Sequence, residues 1–366
     1  MNNEKSIDIP LFITTILLVV SGLVIFFSAS LGLLARDGAQ FGSIVTGQIG
    51  LGLILGGACA FIVSRIPYKF WGRQSFWLLL IAIIATLAVF IPGVGFEHGG
   101  ARRWISVANY FTFQPAEFLK IAYIIYLSAW IASVKTKVTT LSHGLVPFII
   151  LSVICAGILL AQPDTDTTIL MLAAGFAIYY VAGAHWKHIA LLMLICGIAF
   201  STLIMTRPYL KSRIMTFINP SADSLGSGYQ IQQSLIAIGS GGIAGKGFGQ
   251  SVQKFNYLPE PIGDSIFAVY AEEFGFIGTT FLLALFVFFV ARSIKISFMI
   301  KDTFGGLLML GLAILITAQS FLNMAAMLGI FPLSGLPLIF VSHGGTALFF
   351  SLFAIGIMLN ISRYKN

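Results

Sequence analysis

The amino-acid sequence predicts an all-α polytopic membrane protein with about ten transmembrane helices and both termini on the cytoplasmic side. Hydrophobic residues make up 58% of the 366 residues and charged residues only 9%, whereas soluble domains average about 45–50% apolar and about 25% charged residues. Apolar runs long enough to cross a bilayer recur along the whole chain, and basic residues concentrate in alternate connections between them. These observations exclude a water-soluble globular fold.

Ten apolar segments are the candidate transmembrane helices of a single integral-membrane domain, residues 1–366. The first segment is too long for the apolar core of a cleaved signal peptide and lacks a convincing cleavage site, so we expect a retained helix. The predicted spans cover residues 10–34, 42–64, 75–95, 117–134, 144–162, 168–184, 189–206, 265–291, 304–330 and 338–361.

The distribution of basic residues determines the predicted orientation. With the N-terminus in the cytoplasm, short inner loops and tails contain most of the basic side chains, as the positive-inside rule requires. The formal net charge of +8 is therefore a topological signal and does not indicate a nucleic-acid partner. The basic residues assigned to the inner side are Lys5, Arg65, Lys69, Arg73, Lys135, Lys137, Lys187, Arg292, Lys295, Lys301, Arg363 and Lys365.

Two connections on the predicted outer side are unusually long, residues 96–116 and 207–264. The second joins the seventh and eighth spans, is rich in glycine, and includes an apolar stretch at 231–243 that is too short to cross the membrane. We expect a short interfacial or re-entrant helix followed by a glycine-rich loop, since irregular backbone at membrane depth must line a cavity or be buried in protein. Long outer loops of this kind usually carry function.

Charged side chains close to apolar segments are candidates for chemistry, because a charge at bilayer depth costs at least about 2.5–3.5 kcal/mol unless it is paired or hydrated. Arg102 and Arg103 stand beside the interfacial Trp104 on the predicted outer side, where an Arg-Arg-Trp run is most simply an anchor for lipid headgroups. Glu117 and Lys120 share one face at the start of the fourth span. They form either a structural ion pair or a site in which Lys120 faces a water-filled cavity that receives an anion.

Acidic residues near two further helix starts extend the set of candidates. Asp166 suits the N-cap of the sixth span, and Asp164 is either a site residue or the partner of an arginine. Asp264 stands at the outer mouth of the eighth span, where a helix N-terminus favours a carboxylate. Glu272 and Glu273 lie deeper in that span, so they either pair with basic groups of other helices or face a hydrated cavity, and we expect the structural role. The three cysteines show no CxxC or Cys/His pairing, and the sequence predicts no metal site.

Seven segments, taken in order, closely resemble the FtsW/RodA/SpoVE family, the SEDS (shape, elongation, division and sporulation) proteins. They cover residues 101–104, 114–120, 162–164, 228–242, 258–264, 272–275 and 335–345. The segment 247–254 is more similar to the division branch, FtsW, than to the elongation branch, RodA. The chain departs from the family at several positions. The family usually has Gly at Asp166, Tyr at His343, His-Thr at residues 262–263 and Asn-Gly at Gly99 and Gly100.

The resemblance implies a peptidoglycan glycosyltransferase that polymerises lipid II into glycan strands at the outer face of the bacterial cytoplasmic membrane. Asp264 takes the place of the family's essential aspartate and would be the general base that activates an acceptor hydroxyl. Cationic side chains would hold the pyrophosphate of the donor. By resemblance, the pyrophosphate-binding residues are Arg102, Arg103 and Lys120, and the supporting residues are Glu117, Asp164, Gln233 and Lys254.

The expected chemistry is a single displacement with inversion, by analogy with glycoside hydrolysis, so an α-linked pyrophosphate donor would yield a β-1,4 glycan. Pyrophosphate is already a good leaving group, and a second carboxylic acid is not needed. The sequence requires no cofactor. A divalent cation, Mg²⁺ or Mn²⁺, stays open as an aid, although no recognisable ligand set encodes one.

The sequence leaves two alternative functions open. A lipid II flippase would use the same substrate but needs charged groups strung across the membrane, whereas the candidates here cluster on the outer side. An elongation-type, RodA-like polymerase is the alternative to septal synthesis in cell division. Family members act with a class B penicillin-binding protein, the transpeptidase that crosslinks new strands. The resemblance therefore implies a membrane complex with this partner and other divisome or elongasome proteins.

Overall fold

The computed structural model describes residues 6–36, 38–98, 101–107, 111–220 and 226–365. The predictions for Lys5, Gly99 and Gly100 lie outside these residues, as does part of the long outer connection, 221–225. Eight helical segments of the described chain are long and apolar enough to cross a membrane. They are Ile9–Ala35, Ile44–Val63, Pro115–Thr139, Leu141–Ala161, Trp186–Thr206, Ile266–Met299, Thr303–Met327 and Gly345–Ser362. The predicted all-α polytopic membrane fold is confirmed.

The α-helices follow one another along the chain with short 3-10 and π-helical runs between some of them. The first half contains α1 (Ile9–Arg36), α2 (Gly38–Thr46), a π-helical run (Gly47–Leu55), α3 (Gly56–Val63), α4 (Tyr68–Arg73), α5 (Ser75–Ala88), α6 (Pro115–Val134), a 3-10 run (Lys135–Thr139), a second π-helical run (Leu141–Leu145), α7 (Val146–Ala161) and α8 (Thr165–Val181). The second half contains α9 (Trp186–Thr206), α10 (Pro208–Ile218), α11 (Ser227–Ser240), α12 (Gln253–Asn256), α13 (Ile266–Met299), α14 (Thr303–Met327) and α15 (Gly345–Ser362).

Two predicted spans end differently in the structure. The third, predicted over 75–95, corresponds to the shorter helix α5, which ends at Ala88, before Pro92, and the chain then turns through Gly93 at a φ of 85°. The tenth, predicted over 338–361, begins as a helix only at Gly345. The residues before it are non-helical, since Pro337 lacks a backbone N–H and Gly335 has a φ of 61°.

A small antiparallel sheet replaces the loop that hydropathy suggests after α5. It contains β1 (Gly95–His98), β2 (Ala101–Val107) and β3 (Phe111–Phe113), in the order β1-β2-β3. Glu97 pairs with Arg102 across the first ladder, and Ile105 pairs with Phe113 across the second. The sheet lies within the outer connection 96–116, for which the sequence predicted no strand, and it fixes the backbone on which Arg102 and Arg103 stand.

The bundle is organised around α14 and α15, whose spans are 78% and 89% buried, whereas the span at α9 is only 6% buried. The ends of the chain meet beside α13. Asp8 accepts hydrogen bonds from Arg292 at 2.9 and 2.6 Å and also from Lys365. These bonds hold the pKa of Asp8 well below its usual range despite its burial. Both described ends therefore lie on one side of the bundle, as predicted.

The predicted re-entrant helix and glycine-rich loop correspond to α11 and the residues that follow it. This loop docks where α13 breaks at Gly275, whose φ of 62° interrupts the helix. A β-carbon on Gly275 would overlap the backbone of residues 243–245, so only glycine fits. The loop pairs with the interrupted helix through Lys246 N to Glu272 O (3.0 Å), Gly247 N to Glu273 O (2.9 Å), Phe276 N to Gly242 O (2.9 Å) and Ile277 N to Ile243 O (3.1 Å).

Candidate active site

Asp264 lies in the turn immediately before α13 and is held by residues from two other helices. Gln230 on α11 donates from Nε2 to Oδ1 of Asp264 at 3.0 Å, and Asn323 on α14 donates to its main-chain oxygen at 2.7 Å. Ser265 occupies the N-cap position of α13 but makes no side-chain capping hydrogen bond. The side chain of Ser265 therefore does not cap α13.

The surroundings of Asp264 make its carboxyl a weaker acid than usual. Burial and the negative charge of Glu260 raise its pKa to about 6, while the hydrogen bond from Gln230 and the positive charge of Arg213 act in the opposite direction. Desolvation is the largest of these effects, because it disfavours the charged form. A carboxylate with this pKa is largely ionised at neutral pH yet basic enough to accept a proton.

Asp264 faces a cavity of about 600 Å³ that opens at one end of the bundle. The walls come from the sheet, the starts of α6 and α8, the turn before α13, and the irregular segment before α15. The polar and charged lining residues are Arg103, Trp104, Ser106, Thr112, Gln114, Glu117, Asp164, Asp166, Thr167, Glu260, Asp264, Ser334, His343 and Thr346. The predicted site residues Arg103, Glu117, Asp164 and Asp264 thus share one cavity.

The two arginines of β2 have different environments, as expected for successive residues of a strand, which point to opposite faces. Arg103 lines the cavity, donates from Nε to the carbonyl oxygen of Gln162 at 3.2 Å, and donates from Nη2 to that of Pro163. Arg102 is about half exposed and pairs with Glu97 at 3.0 Å. Arg102 is not among the lining residues of the described chain.

Lys120 lies behind the cavity wall. Its Nζ donates to Glu117 at 2.9 Å and to Oε1 of Gln319 at 2.8 Å, and the side chain is only 2% exposed. Glu117 lines the cavity, whereas Lys120 is absent from the lining of the described chain. The ion pair that the spacing allowed is therefore present, and through it Lys120 orients the carboxylate of Glu117.

The two acids before the sixth span have exchanged the roles expected of them. Asp164, not Asp166, is the N-cap of α8, and its Oδ1 accepts from Thr167 N at 3.3 Å. Asp166 pairs with Arg213 at 2.7 Å. The prediction was wrong because the helix begins at Thr165, so the cap falls before Asp166. Asp164 is 2% exposed, and its Oδ2 has no hydrogen-bond partner among the described residues.

The remaining supporting candidates lie outside the cavity lining of the described chain. Gln233 is half-buried on α11, one turn beyond Gln230. Lys254 is fully buried and pairs with Glu273 at 2.6 Å. Glu272 pairs with Lys246 at 2.6 Å, so both deep glutamates have the basic partners expected from the sequence.

Sequence reasoning missed three residues near the carboxylate: Gln230, Asn323 and Arg213. Asn323 is an amide within an otherwise apolar span, a signal that polar residues in membrane helices often have a function. Gln230 stands one turn before the predicted Gln233, on the same helix face. Arg213 contacts Asp166 across 47 residues, a separation that no local pattern reveals.

The described residues include no group of three or more His, Cys, Asp or Glu side chains placed to hold a metal ion. The arrangement offers instead a partly buried base, a guanidinium group and a polar cavity. Such a site can remove a proton from a hydroxyl group and stabilise an anionic leaving group.

Comparison with known proteins relates this site to a family. The chain matches the FtsW/RodA/SpoVE family model, described as a cell cycle protein, over residues 9–366. It is 38% identical over 365 residues to stage V sporulation protein E of Bacillus subtilis (strain 168), covering 99% of this chain and 98% of that protein. The chain belongs to the FtsW/RodA/SpoVE family. The resemblance inferred from the seven segments is confirmed, and the match includes every residue of the site described above.

Other family members extend the comparison. The chain is 37% identical over 358 residues to the probable peptidoglycan glycosyltransferase FtsW of Trichlorobacter lovleyi, covering 97% of this chain and 93% of that protein. A chain in a solved structure on the coordination of polymerization and crosslinking by a peptidoglycan synthase complex superposes with a TM-score of 0.79 at 25% identity, covering 98% of both. The rod shape determining protein RodA of Thermus thermophilus shares the fold, with a TM-score of 0.68 at 23% identity and 98% of both chains covered.

Proposed function

We propose that this family member is a peptidoglycan glycosyltransferase that polymerises lipid II at the outer face of the bacterial cytoplasmic membrane, in septal synthesis during cell division. The observation that carries the proposal is Asp264, whose pKa is raised to about 6 in a cavity that it shares with Arg103. The names of the FtsW relatives support the activity. The end of the bundle that holds the cavity faces outward, because the basic loops of the opposite end lie in the cytoplasm.

Asp264 acts as the general base. It removes the proton of the acceptor 4-hydroxyl while that oxygen attacks the anomeric carbon of the donor, and the bond to pyrophosphate breaks in the same displacement. Gln230 and Asn323 fix the position of Asp264 through its side chain and its main chain. Arg103 stabilises the negative charge that develops on the departing pyrophosphate.

The crosslinking step belongs to a partner, a class B penicillin-binding protein in the same membrane. Support for this part of the proposal comes from the peptidoglycan synthase complex, one chain of which has the fold of this protein. Other divisome proteins complete the assembly. A transporter of the same lipid is the competing function, but the proposed groups Arg103, Asp164 and Asp264 share one cavity at one end of the bundle.

The test is lipid II polymerisation by the purified full-length protein, reconstituted with and without its cognate transpeptidase. We expect polymer from the wild type, and a loss of turnover of about 10²- to 10⁴-fold in Asp264→Ala and Asp264→Asn. Glu97→Gln removes an exposed carboxylate that does not line the cavity among the described residues and is the matched control. Equal polymer yield from the wild type and both Asp264 variants would refute the assignment of the base.

A further inference from the structure

Arg213 places a second guanidinium group beside the cavity, on a helix that the sequence did not mark as functional. It is not itself among the lining residues of the described chain, but it contacts residues that are. It stands on α10, which begins with Pro208 in the long connection after α9. Its Nη1 donates to Oδ2 of Asp166 at 2.7 Å, and its side chain is 31% exposed. The group is therefore fixed in position but still accessible.

The other side of the same guanidinium group approaches a second wall of the cavity. A β-carbon on Gly335 would lie 3.8 Å from Nη2 of Arg213. Asp166 and Gly335 both line the cavity, so Arg213 bridges two elements of its rim. Arg213 is also close enough to Asp264 for its charge to lower the pKa of that carboxyl.

One short segment, residues 162–166, accepts hydrogen bonds from Arg103, which lines the cavity, and from Arg213, which lies beside it. Arg103 donates to the carbonyl oxygens of Gln162 and Pro163, and Arg213 donates to Asp166. Pro163 and Asp166 are three residues apart, so their backbones are separated by at most about 11 Å. The two guanidinium groups thus approach the cavity from different elements but are anchored at neighbouring points.

The charge of the cavity lining shows why one arginine is insufficient for an anionic ligand. Five carboxylates line the cavity: Glu117, Asp164, Asp166, Glu260 and Asp264. Lys120 pairs with the first, and Arg213 pairs with Asp166. The other three have no ion pair among the described residues. A multiply charged anion that enters needs more than one direct cationic contact, and guanidinium groups bind phosphate oxygens with two parallel hydrogen bonds.

We propose that Arg213 and Arg103 form a two-arginine clamp for the pyrophosphate of a prenyl-linked sugar donor, and that Asp166 is the positioning residue of Arg213. The clamp rests on the proposed function and specifies its donor subsite. The clamp also gives a role to α10, the helix that carries Arg213.

The experiment compares how strongly a short prenyl pyrophosphate and the matching prenyl monophosphate inhibit lipid II polymerisation by the full-length protein. A two-arginine clamp favours the pyrophosphate, so the wild type should have the lower inhibition constant for it. In Arg213→Gln we expect kcat/KM for lipid II to fall about 10- to 100-fold and the two inhibition constants to converge. Arg213→Lys keeps the charge without the paired donors and should give an intermediate ratio.

Matched variants separate the clamp from a general effect of charge or folding. Lys211→Gln removes one positive charge from an exposed position of the same helix and should leave the inhibition ratio unchanged. Asp166→Asn should change the ratio in the same direction as Arg213→Gln, but less. An unchanged ratio in Arg213→Gln, with only a lower unfolding temperature, would overturn the clamp.

Direct binding distinguishes failure of the clamp from failure of the proposed function. Asp264→Asn should still bind the prenyl pyrophosphate, measured by calorimetry, because it retains both arginines. If the wild type binds the pyrophosphate with Arg213-dependent affinity but makes no polymer, the clamp stands and the glycosyltransferase proposal fails. If the wild type makes polymer and its inhibition ratio does not change in Arg213→Gln, the glycosyltransferase proposal stands and the clamp fails.

Discussion

Two sets of acidic residues near the start of α13 differ in how completely the protein satisfies them. Glu272 and Glu273 are almost fully buried, and each has a lysine partner at 2.6 Å. Ser251 adds a hydroxyl hydrogen bond to Glu272 at 2.5 Å and a backbone hydrogen bond to Glu273 at 3.3 Å. These carboxylates belong to a closed network within the protein.

Two of the cavity carboxylates, Asp264 and Asp164, have no ion pair among the described residues. Asp264 accepts one side-chain hydrogen bond, from Gln230, and Asp164 has one oxygen with no partner among the described residues. Buried networks that are fully satisfied make a structure rigid, whereas groups that the protein leaves under-satisfied retain capacity for a ligand or a proton. Burial alone does not distinguish the two sets of carboxylates. They differ in the number and the charge of their hydrogen-bond partners.

Breaking the closed network should have the largest effect on stability. Lys254→Ala leaves Glu273 as an uncompensated buried charge and should lower the free energy of unfolding by about 3–5 kcal/mol. Lys246 is 35% exposed, so Lys246→Ala is the matched control and should cost less. Thermal unfolding and folded yield in detergent measure both. A Lys254→Ala protein with wild-type stability and no activity would assign Lys254 a role in catalysis. It would contradict the contrast between the two sets of acidic residues.

The pH dependence of activity and stability should test the second set, through the cavity carboxylate Asp264. Asp264 must be ionised to act as a base, so kcat/KM should fall about tenfold per pH unit below a midpoint near pH 6. Its folded pKa of about 6 exceeds the ordinary 3.8, so the native state binds more protons between these values. Ionisation of Asp264 therefore lowers stability as pH rises through that window.

Two variants test whether Asp264 causes this behaviour. Asp264→Asn should remove its contribution to the fall in stability between pH 3.8 and about 6. Glu260→Gln removes a negative charge that raises the pKa of Asp264, so it should shift the activity midpoint to lower pH. A midpoint that stays in place in Glu260→Gln would assign the titration to another group.

The smallest effect should come from the exposed pair at the rim. Arg102 and Glu97 are each about half exposed, so removing their ion pair should change stability by less than about 1 kcal/mol. Arg102→Gln should also raise KM for lipid II less than Arg103→Gln does, since Arg103 lines the cavity. Steady-state kinetics of the two variants checks this. An equal rise in KM would restore Arg102 as a direct phosphate ligand.

The sequence revealed those features that depend on local composition. Apolar runs predicted the membrane helices because a membrane-spanning helix is one continuous run of apolar residues. The motif around Asp264 marked a carboxylate that lines the cavity. The sheet was missed because its short strands are stabilised by pairing across turns. The roles of Asp164 and Asp166 were exchanged because capping depends on the residue at which a helix begins.

The rest of the site depends on packing between distant segments. Gln230 reaches Asp264 across 34 residues, and Arg213 reaches Asp166 across 47. Lys120 carried the signal of an expensive membrane charge, but its direction relative to the cavity follows from the packing of Gln319 against α6. A single sequence records that these polar groups exist, whereas their partners follow from the fold.

The break in α13 at Gly275 separates two rods with different tasks. The outer rod begins beside Asp264, and the inner rod, beyond Gly275, continues to Met299. The docked glycine-rich loop spans this break, because it hydrogen-bonds to Glu272 and Glu273 on the outer side and to Phe276 and Ile277 on the inner side. The loop therefore holds the two rods at a fixed angle, and the position of the Asp264 carboxylate relative to the inner rod depends on that loop.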